Sequence, residues 1–408
     1  MNKKLIYSIV TGVAISVLST FAAEEASVAV AVVSTDKIES APAASTKSIY
    51  DNVWDSFTFI DNDDAKVIQN LAFVGRLQGD AVSFHSEDNN YDDFDWRRLR
   101  LGFKVAVFND FIIHAEMDTD MNDVGEDSWD AFYGRLTDAY VGWSTSKAAK
   151  VKAGKQSAGF TLDGATSSKK LIVPERSIVA ENLWFTTEYF TGAGISGTIE
   201  DWTYNAGGFS ASKENEFGHF ESGYFALLSA GHKVGDKGSI RLDYVYNDPD
   251  YTGVTKNPDY KVGSKNLEHI IALVYKTMIS EKLGLWADVA GGKGITDIAA
   301  GIDQGDLVGL DIMPFYNITD SLQLVLQYAG VSNLDNKSNI KISRYAGKNA
   351  GNTVETAHNL LLGFNWYLYG HKLKWQNAVE YNHGKNPAGT AGDDYNGYGV
   401  TSALRISW

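Results

Sequence analysis

Strict alternation of apolar and polar residues over residues 94–118 is the feature that most constrains what this chain can form. In its first half every second residue is apolar, whereas the alternate set carries Arg98, Arg100 and Lys104. After a tight turn at 109–110 the alternation resumes. Because successive side chains leave a strand on opposite faces, the stretch predicts a long hairpin with one apolar and one charged face. Such a hairpin suits an amphipathic soluble β-protein or a membrane barrel with lipid outside and water inside.

The N-terminus indicates export. Lys3 and Lys4 precede an apolar run at 5–18, and small residues follow up to Ala23. This pattern is typical of a secretory signal peptide, here predicted as residues 1–23 with cleavage after residue 22 or 23. No other stretch reaches the roughly 18 apolar residues of a spanning helix. If the mature chain lies in a membrane, it therefore crosses it as a β-barrel.

Composition excludes several classes of protein. The 408 residues include no cysteine, so this exported chain is not a small disulfide-stabilised domain. The formal net charge of −15 argues against a nucleic-acid partner. Only 6 prolines occur, which suits long uninterrupted strands.

The chain divides at about residue 65. Residues 24–65 hold a small-residue apolar run, an Ala, Ser and Pro-rich stretch and aromatics among acids, and are predicted to be a periplasmic N-terminal segment and linker. Residues 66–408 read as about 16 amphipathic strands, whose connections alternate between short turns and long loops rich in Gly, Asn and Asp. The predicted fold is all-β: a 16-stranded antiparallel transmembrane β-barrel with short periplasmic turns and long extracellular loops.

The last strand supports a position in the bacterial outer membrane. Its alternate residues from Val400 are mostly apolar and end on Trp408, which resembles the assembly signal of outer-membrane proteins. Aromatic residues also fall near predicted strand ends, where an aromatic girdle lies in such barrels. They are Trp143, Trp366, Trp375 and Tyr381.

Four pieces of the sequence, in this order, resemble the phosphate-selective porin O and P family. They are WRRLRLGFKVAVFNDFIIHAEMD at 96–118, DAYVGW with VKAGKQSAGF at 138–160, LIVPERS at 171–177 and NWYL at 365–368. The resemblance implies a homotrimeric outer-membrane channel, selective for phosphate or oligophosphate in the best-known members. That selectivity depends on dense arginine and lysine rows, in which this sequence is poorer.

Two groups of charged residues are the candidate site. The first falls on the polar phase of the strands and is a candidate pore lining and anion path, since rows of basic residues bias a pore to anions: Arg76, Arg98, Arg100, Lys104, Lys150, Lys152 and Arg405. The alternative is that these cations pair with Glu116, Asp138 and Glu380 and stabilise the wall.

The second group lies in the third long loop, 155–187, which in porins folds inward and narrows the channel. The resemblance therefore implies that Lys169, Lys170, Glu175 and Arg176 line a constriction. The alternative is that Lys169 and Lys170 face outside water.

Sequence motifs for catalysis, cofactor binding or metal binding are weak. The glycines at 192–197 match G-x-G-x-x-G, but no helix follows to bind a pyrophosphate, so we expect neither an enzyme nor a cofactor. The stretch from Asp118 begins like a calcium loop but fails an EF-hand at positions 6 and 12. We predict no metal site, although a loose divalent site among Asp118, Asp120, Asp123 and Glu126 stays open beside the alternative of a solvated acidic loop.

The predicted function is passive diffusion of small hydrophilic solutes and ions, with a modest anion preference. A phosphate-selective channel is the first alternative. The second is a structural or adhesive outer-membrane barrel without steady conductance. The expected partners are outer-membrane lipid and two further copies of the chain.

Overall fold

The computed structural model describes residues 48–119, 121, 132–185, 188–251, 261–351, 353–386 and 394–408. The predicted signal peptide, most of segment 24–65, and Asp120, Asp123 and Glu126 lie outside the described residues. The chain divides into two units, 1–52 and 53–408. In the first, Ser48 Oγ accepts a hydrogen bond from the Asp51 amide at 3.1 Å, at the start of helix α1 (Ile49–Asp55).

Sixteen long strands close into a barrel within the described part of the chain. Every neighbouring pair is antiparallel, and the last strand pairs with the first. The strands are β2 (Ile68–Ser86), β3 (Asn90–Val107), β4 (Phe111–Thr119), β5 (Arg135–Ser146), β6 (Ala149–Ser157), β7 (Tyr189–Ile199), β8 (Trp202–Ser210), β9 (Gly223–Val234), β10 (Gly238–Pro249), β11 (Leu267–Met278), β12 (Leu283–Gly294), β15 (Leu307–Asn317), β16 (Leu322–Asn333), β17 (Thr356–Tyr369), β18 (Leu373–Lys385) and β19 (Tyr395–Ser407). The predicted 16-stranded fold is confirmed.

The remaining elements are short. Strand β1 (Thr58–Asp61) precedes the barrel, and β13 (Thr296–Asp297) pairs with β14 (Ile302–Asp303) in a long loop. Helices α2 (Ile178–Leu183) and α3 (Arg344–Ala350) also lie in long connections. No described helix is long and apolar enough to cross a membrane.

The outer face of the wall is apolar. Along β17, Leu360, Leu362 and Phe364 are exposed, whereas Leu361 between them and Asn365 after them are buried inside. Exposed leucines in an unbroken row would be unfavourable against water but suit the hydrocarbon that surrounds a membrane barrel. The alternation read from the sequence therefore corresponds to lipid and interior faces.

Strand β1 completes the seam where the barrel closes. Thr58 pairs with Ala72 of β2, and three residues further along the same edge the Gly75 amide donates to the Trp408 carbonyl at 3.1 Å. The Trp54 indole donates to the Ser407 carbonyl at 2.7 Å. The described end of the predicted linker is thus hydrogen-bonded to the first and last barrel strands.

The inside of the barrel is filled by its own loops. Helix α2 packs against β12, β15 and β16, and α3 packs against β2, β3 and β19. Two glycines make room for α2, because a Cβ atom at Gly292 would come within 3.0 Å of Leu183, and one at Gly309 within 3.1 Å of Val179. Buried apolar residues from the loops and the inner wall form a continuous cluster around both helices.

A β-bulge at Arg97 changes the phase of β3. Gln78 pairs with Arg98, whereas the next residue, Gly79, pairs with Trp96, so Arg97 is the extra residue. On one side of the bulge the odd-numbered Asp95 is buried inside, and on the other the even-numbered Arg98 is. Arg97 itself also turns inward, where its guanidinium contacts a loop inside the barrel.

Candidate functional site in the barrel interior

The described residues of the connection between β6 and β7, 158–185 and 188, lie inside the barrel and are called the inner loop. The predicted loop began at Lys155, but Lys155 belongs to β6, which continues to Ser157. The inner loop hydrogen-bonds to the wall on opposite sides, through Ser168 to β2 and through Thr161 to β10. It therefore crosses the lumen instead of following one wall.

Glu188 is the centre of the basic side of this site. Its carboxylate oxygens lie 3.6 Å from Arg98 Nη2, 3.5 Å from Arg100 Nη2 and 3.2 Å from Arg176 Nη1. Arg98 and Arg100 belong to β3, and Arg176 to the inner loop. The Arg100 guanidinium also donates to the Tyr189 hydroxyl and lies 3.2 Å from an Asp118 oxygen. One carboxylate thus joins the inner loop to the arginine row of the wall.

This cluster is removed from water. Arg98 and Arg100 are 4% and 1% exposed, and Glu188 is 9% exposed. Burial alone would raise the pKa of the Glu188 carboxyl, but the three guanidinium groups outweigh it and hold that pKa well below its ordinary range. Glu188 is therefore ionised at neutral pH and neutralises part of the row that the sequence indicated as an anion path.

A second ion pair, between Arg97 and Glu175, has bidentate geometry. Arg97 Nε lies 2.5 Å from Glu175 Oε1 and Nη2 lies 3.1 Å from Oε2. Strict alternation would place Arg97 on the lipid face, so this ion pair was not predicted from the sequence. The signal was present, because Phe94 and Trp96 are apolar at even positions whereas Leu99 is apolar at an odd one. A phase change between them indicates a bulge.

Arg76 and Arg405 hold other parts of the inner loop. Arg76 donates to Ser168 Oγ at 2.7 Å and pairs with Glu116 at 3.0 Å. Arg405 pairs with Asp80 and donates to the Pro174 carbonyl at 2.9 Å. Among the carboxylates named as possible partners, Glu116 has this role. Glu380 instead accepts from Ser343, Asn359 and Asn382, and Asp138 lies opposite Glu116 across β4 and β5.

The opposite wall is acidic and was not identified from the sequence. Asp243 on β10 accepts from the Thr161 amide at 2.9 Å, and Asp288 on β12 accepts from the Leu162 amide at 2.5 Å. Arg241 pairs with Asp243 at 2.8 Å and donates to the Thr161 carbonyl at 2.7 Å. Only a loop that folds back across the lumen can bring these backbone amides to the wall, and no local pattern encodes that.

The predicted lysines occupy more open positions. Lys104, Lys150 and Lys152 are on inner-phase positions near the short-turn end of the barrel and are only partly buried. Lys152 Nζ lies 4.7 Å from the centre of the Tyr140 ring. These lysines contrast with the nearly inaccessible arginines further along the same wall.

The predicted constriction residues have different surroundings. Lys169 is partly buried and donates to the Trp408 carbonyl at 3.3 Å, and burial followed by repulsion from Arg76 lowers its pKa to about 8. Lys170 is exposed. Arg176 donates to the Asp163 carbonyl at 2.9 Å besides its pair with Glu188. Lys169, Glu175 and Arg176 are thus bound within the barrel.

The structure offers little for a metal ion. Among the described residues, no three His, Cys, Asp or Glu side chains are grouped so that they could hold one. Asp118, the described member of the calcium-like stretch, instead contacts Arg100 and Arg135. The glycine motif at 192–197 lies within strand β7.

The comparisons with known proteins agree with this architecture. Residues 72–263 match the model of the family described as phosphate-selective porin O and P. Over this stretch the chain is similar to that family. The predicted resemblance is therefore confirmed, as is the prediction that the chain is a channel-type protein and not an enzyme. It is an outer-membrane porin with a β-barrel fold.

Individual relatives are distant. The porin is 24% identical to Porin O of Pseudomonas aeruginosa over 202 residues. This match covers 47% of the present chain and 45% of Porin O. The chain thus spans about half the length of this curated relative. Among solved structures, the anion-selective porin from Comamonas acidovorans matches with a TM-score of 0.56 at 11% identity, over 83% of this porin and 99% of that chain. The outer-membrane channel DcaP of Acinetobacter baumannii matches with a TM-score of 0.52 at 15% identity, over 83% of this porin and 97% of that chain.

Proposed function

We propose that this porin is a narrow diffusion channel for small hydrophilic solutes, with a modest preference for anions. The observation that carries the proposal is the partly open lysine group, Lys104, Lys150 and Lys152, on the inner wall beside an inner loop that crosses the lumen. Basic residues that line a pore attract anions and repel cations. The anion-selective porin that shares this fold supports the same direction.

The preference should be modest because most arginines on the path are already neutralised. Glu188 contacts two wall arginines, Glu116 pairs with Arg76, and Asp80 pairs with Arg405. An ion pair presents a much smaller net field to a passing ion than an isolated cation does. We therefore propose a mainly structural role for the arginines and attribute the anion preference to the lysines because they are more accessible to a passing ion.

Planar bilayer recordings with a salt gradient test this assignment. The variant K104E/K152E reverses two inner-wall charges and should move the reversal potential toward cation preference while the barrel still assembles. K147E is the matched control, because Lys147 lies in an exposed short turn outside the lumen. An unchanged reversal potential in K104E/K152E would show that ions do not pass these lysines.

A closed barrel without steady conductance is the second candidate. The observation in its favour is the apolar cluster inside the barrel, in which Phe160, Phe185 and Leu183 of the inner loop contact apolar residues of the wall. A water-filled channel usually has a polar interior. The same recordings decide between the two, because a closed barrel would give no stable current steps in any salt.

Strong phosphate selectivity is less well supported for this chain. The Arg98 and Arg100 guanidinium groups that would bind phosphate face Glu188, and phosphate would have to displace that carboxylate. If the channel is nevertheless phosphate-selective, millimolar phosphate should block chloride current through the wild type. We expect no such block.

Export and assembly complete the proposal. We propose that residues 1–23 direct export to the bacterial outer membrane, as tested by sequencing the N-terminus of the mature protein.

We also propose a homotrimer; the trimer form of OmpT from Vibrio cholerae matches with a TM-score of 0.50 at 13% identity, over 83% of this porin and 99% of that chain. An unboiled sample should migrate on gels at the trimer mass and shift on heating.

A further inference from the structure

A cavity of about 270 Å³ lies at the long-loop end of the barrel, beside α2. Its lining comes from four different long connections and the inner loop. Its polar lining includes the side chains of Lys213, Ser264, Lys265, Gln304, Asn339 and Lys341. None of these residues belongs to the arginine cluster described above, and none was singled out from the sequence.

The walls of the cavity are held in place by hydrogen bonds. Ser212 and Val262 form an isolated β-bridge, and the Gly263 amide donates to the Ala211 carbonyl at 2.7 Å. The Asn182 side chain accepts from the Lys341 amide at 2.8 Å and donates to the Lys341 carbonyl at 2.7 Å. Because these contacts fix the loops relative to α2, a ligand would bind without first ordering them.

The cavity is positive, although the chain carries a formal net charge of −15. Three lysines line it, and none of the described residues that line it is acidic. Lys265 Nζ donates to the backbone carbonyl of Glu181, which does not cancel its charge. Lys341 lies 4.0 Å from the Glu181 carboxylate, but its side chain is 56% exposed, so this pair is weak. Burial lowers the pKa of Lys265 to about 8, which leaves it mostly charged at neutral pH.

The uncharged lining groups indicate what accompanies the negative charge. Ser264 is 7% exposed, and its buried hydroxyl has no hydrogen-bond partner in the described structure. Gln304 Nε2 donates to the Gly305 carbonyl at 3.2 Å and Asn339 Oδ1 accepts from Asn333 at 2.6 Å, which leaves the Gln304 amide oxygen as an acceptor and the Asn339 amide nitrogen as a donor for a ligand. Inorganic anions at neutral pH chiefly accept hydrogen bonds, whereas hydroxyl groups do both. A polar but unsatisfied hydroxyl beside two amides therefore fits a hydroxylated ligand better than a bare oxyanion.

We propose that this cavity is an entry site for a small polyhydroxy carboxylate, the chemical class of the sugar acids. The lysines bind the carboxylate, while Ser264 and the two amides bind hydroxyl groups. The volume is slightly below the roughly 300 Å³ at which drug-sized pockets begin, so one monosaccharide unit fits better than an oligosaccharide. This inference rests on the proposed function for its role in uptake, because it supplies the class of solute, but binding itself does not require current.

Isothermal titration calorimetry on the full-length porin in detergent tests the site, with D-gluconate, D-glucose and inorganic phosphate as separate probes. We expect gluconate to bind, and both glucose and phosphate to bind at least tenfold more weakly. K213M/K341M should weaken gluconate binding at least tenfold, since both lysine side chains are exposed and can be neutralised without disturbing the fold. S264A should weaken it several-fold.

The control is K337M, because Lys337 carries the same charge on the same connection but pairs with Asp303 outside the cavity. It should bind gluconate as the wild type does. Absence of gluconate binding, equal affinity for phosphate, or equal loss in K337M would each overturn the proposal. A porin that binds gluconate but is silent in bilayers would keep the binding site and overturn the diffusion function instead, so the two failures are distinguishable.

Discussion

Replacing Glu188 with glutamine removes the charge that joins the inner loop to the arginine row. The carboxylate lies within 3.6 Å of three guanidinium groups, and its side chain is 11% exposed. Removing one partner of a buried ion pair costs about 3–5 kcal/mol, because the remaining charges stay buried without compensation. The amide oxygen of the new glutamine could still accept one hydrogen bond from Arg176, so we expect the lower end, about 3 kcal/mol.

This loss of stability should affect the inner loop and not the barrel wall. Glu188 precedes β7, and the backbone ladders of the barrel do not involve its side chain. Since each 1.4 kcal/mol corresponds to a factor of ten, a loss of about 3 kcal/mol should accelerate opening of the inner loop about 100-fold. Hydrogen exchange followed by mass spectrometry should detect this at the amides of α2, while the amides of β3 retain their protection.

The matched control is Glu181→Gln on α2. Its carboxylate lies 4.0 Å from a lysine that is 56% exposed, and such surface pairs contribute about 0–1 kcal/mol. E181Q should therefore exchange nearly as the wild type does. If E188Q also leaves exchange at α2 unchanged, the carboxylate does not hold the inner loop in place, and the reasoning from burial and ion pairing is wrong.

Three further predictions concern acid, the inner loop and the seam. Burial raises the folded-state pKa values of the Glu175 and Glu188 carboxyls, but the facing arginines lower these pKa values by more. The stabilisation that the two ionised carboxylates give to the folded state is therefore complete above the ordinary carboxyl pKa and is lost as the pH falls from there through the lowered values. The protection of the α2 amides, measured relative to their intrinsic exchange rate at each pH, should thus be constant from about pH 7 to about pH 5 and fall progressively as the pH drops below the ordinary value of 4.5. Deleting residues 165–170 should raise single-channel conductance, and an unchanged conductance would place them off the ion path. Trp54→Ala should lower the temperature at which the unboiled gel band shifts, since it removes the indole bond to Ser407 and about 2 kcal/mol of packing for this half-buried ring; an identical transition would mean that Trp54 does not stabilise the seam.

The barrel could be predicted from the sequence because its two determinants are local. Alternation along each strand separates the lipid face from the interior, as Leu360 and Leu361 show on β17. The alternation of short and long connections gives the strand count. Both patterns recur along the whole barrel, so an error in one strand does not change the fold.

The interior could not be predicted to the same depth, because its contacts join residues far apart in the chain. Arg405 and Pro174 are separated by 231 positions. Helix α3 has no apolar run that would mark it as a buried element; its sequence RYAGKNA is polar, and it enters the barrel because Arg344 pairs with Asp95 and Tyr345 donates to Asp80. Glu188 likewise gains its importance only when the inner loop returns to β3.

The bulge at Arg97 also divides β3 into two segments that obey opposite parity. Deleting Arg97 would leave Trp96 beside Arg98 in uniform alternation with Asp95 still inside, whereas keeping Arg97 and pairing it in a regular ladder would make everything from Asp95 toward the loop exchange sides. Asp95 would face hydrocarbon and Phe94 would face the channel mouth. Arg97 is therefore the point in β3 at which the inward-facing positions change from odd-numbered to even-numbered residues. Any redesign that shortens, transplants or recombines this hairpin with that of another porin has to count residues separately above and below it.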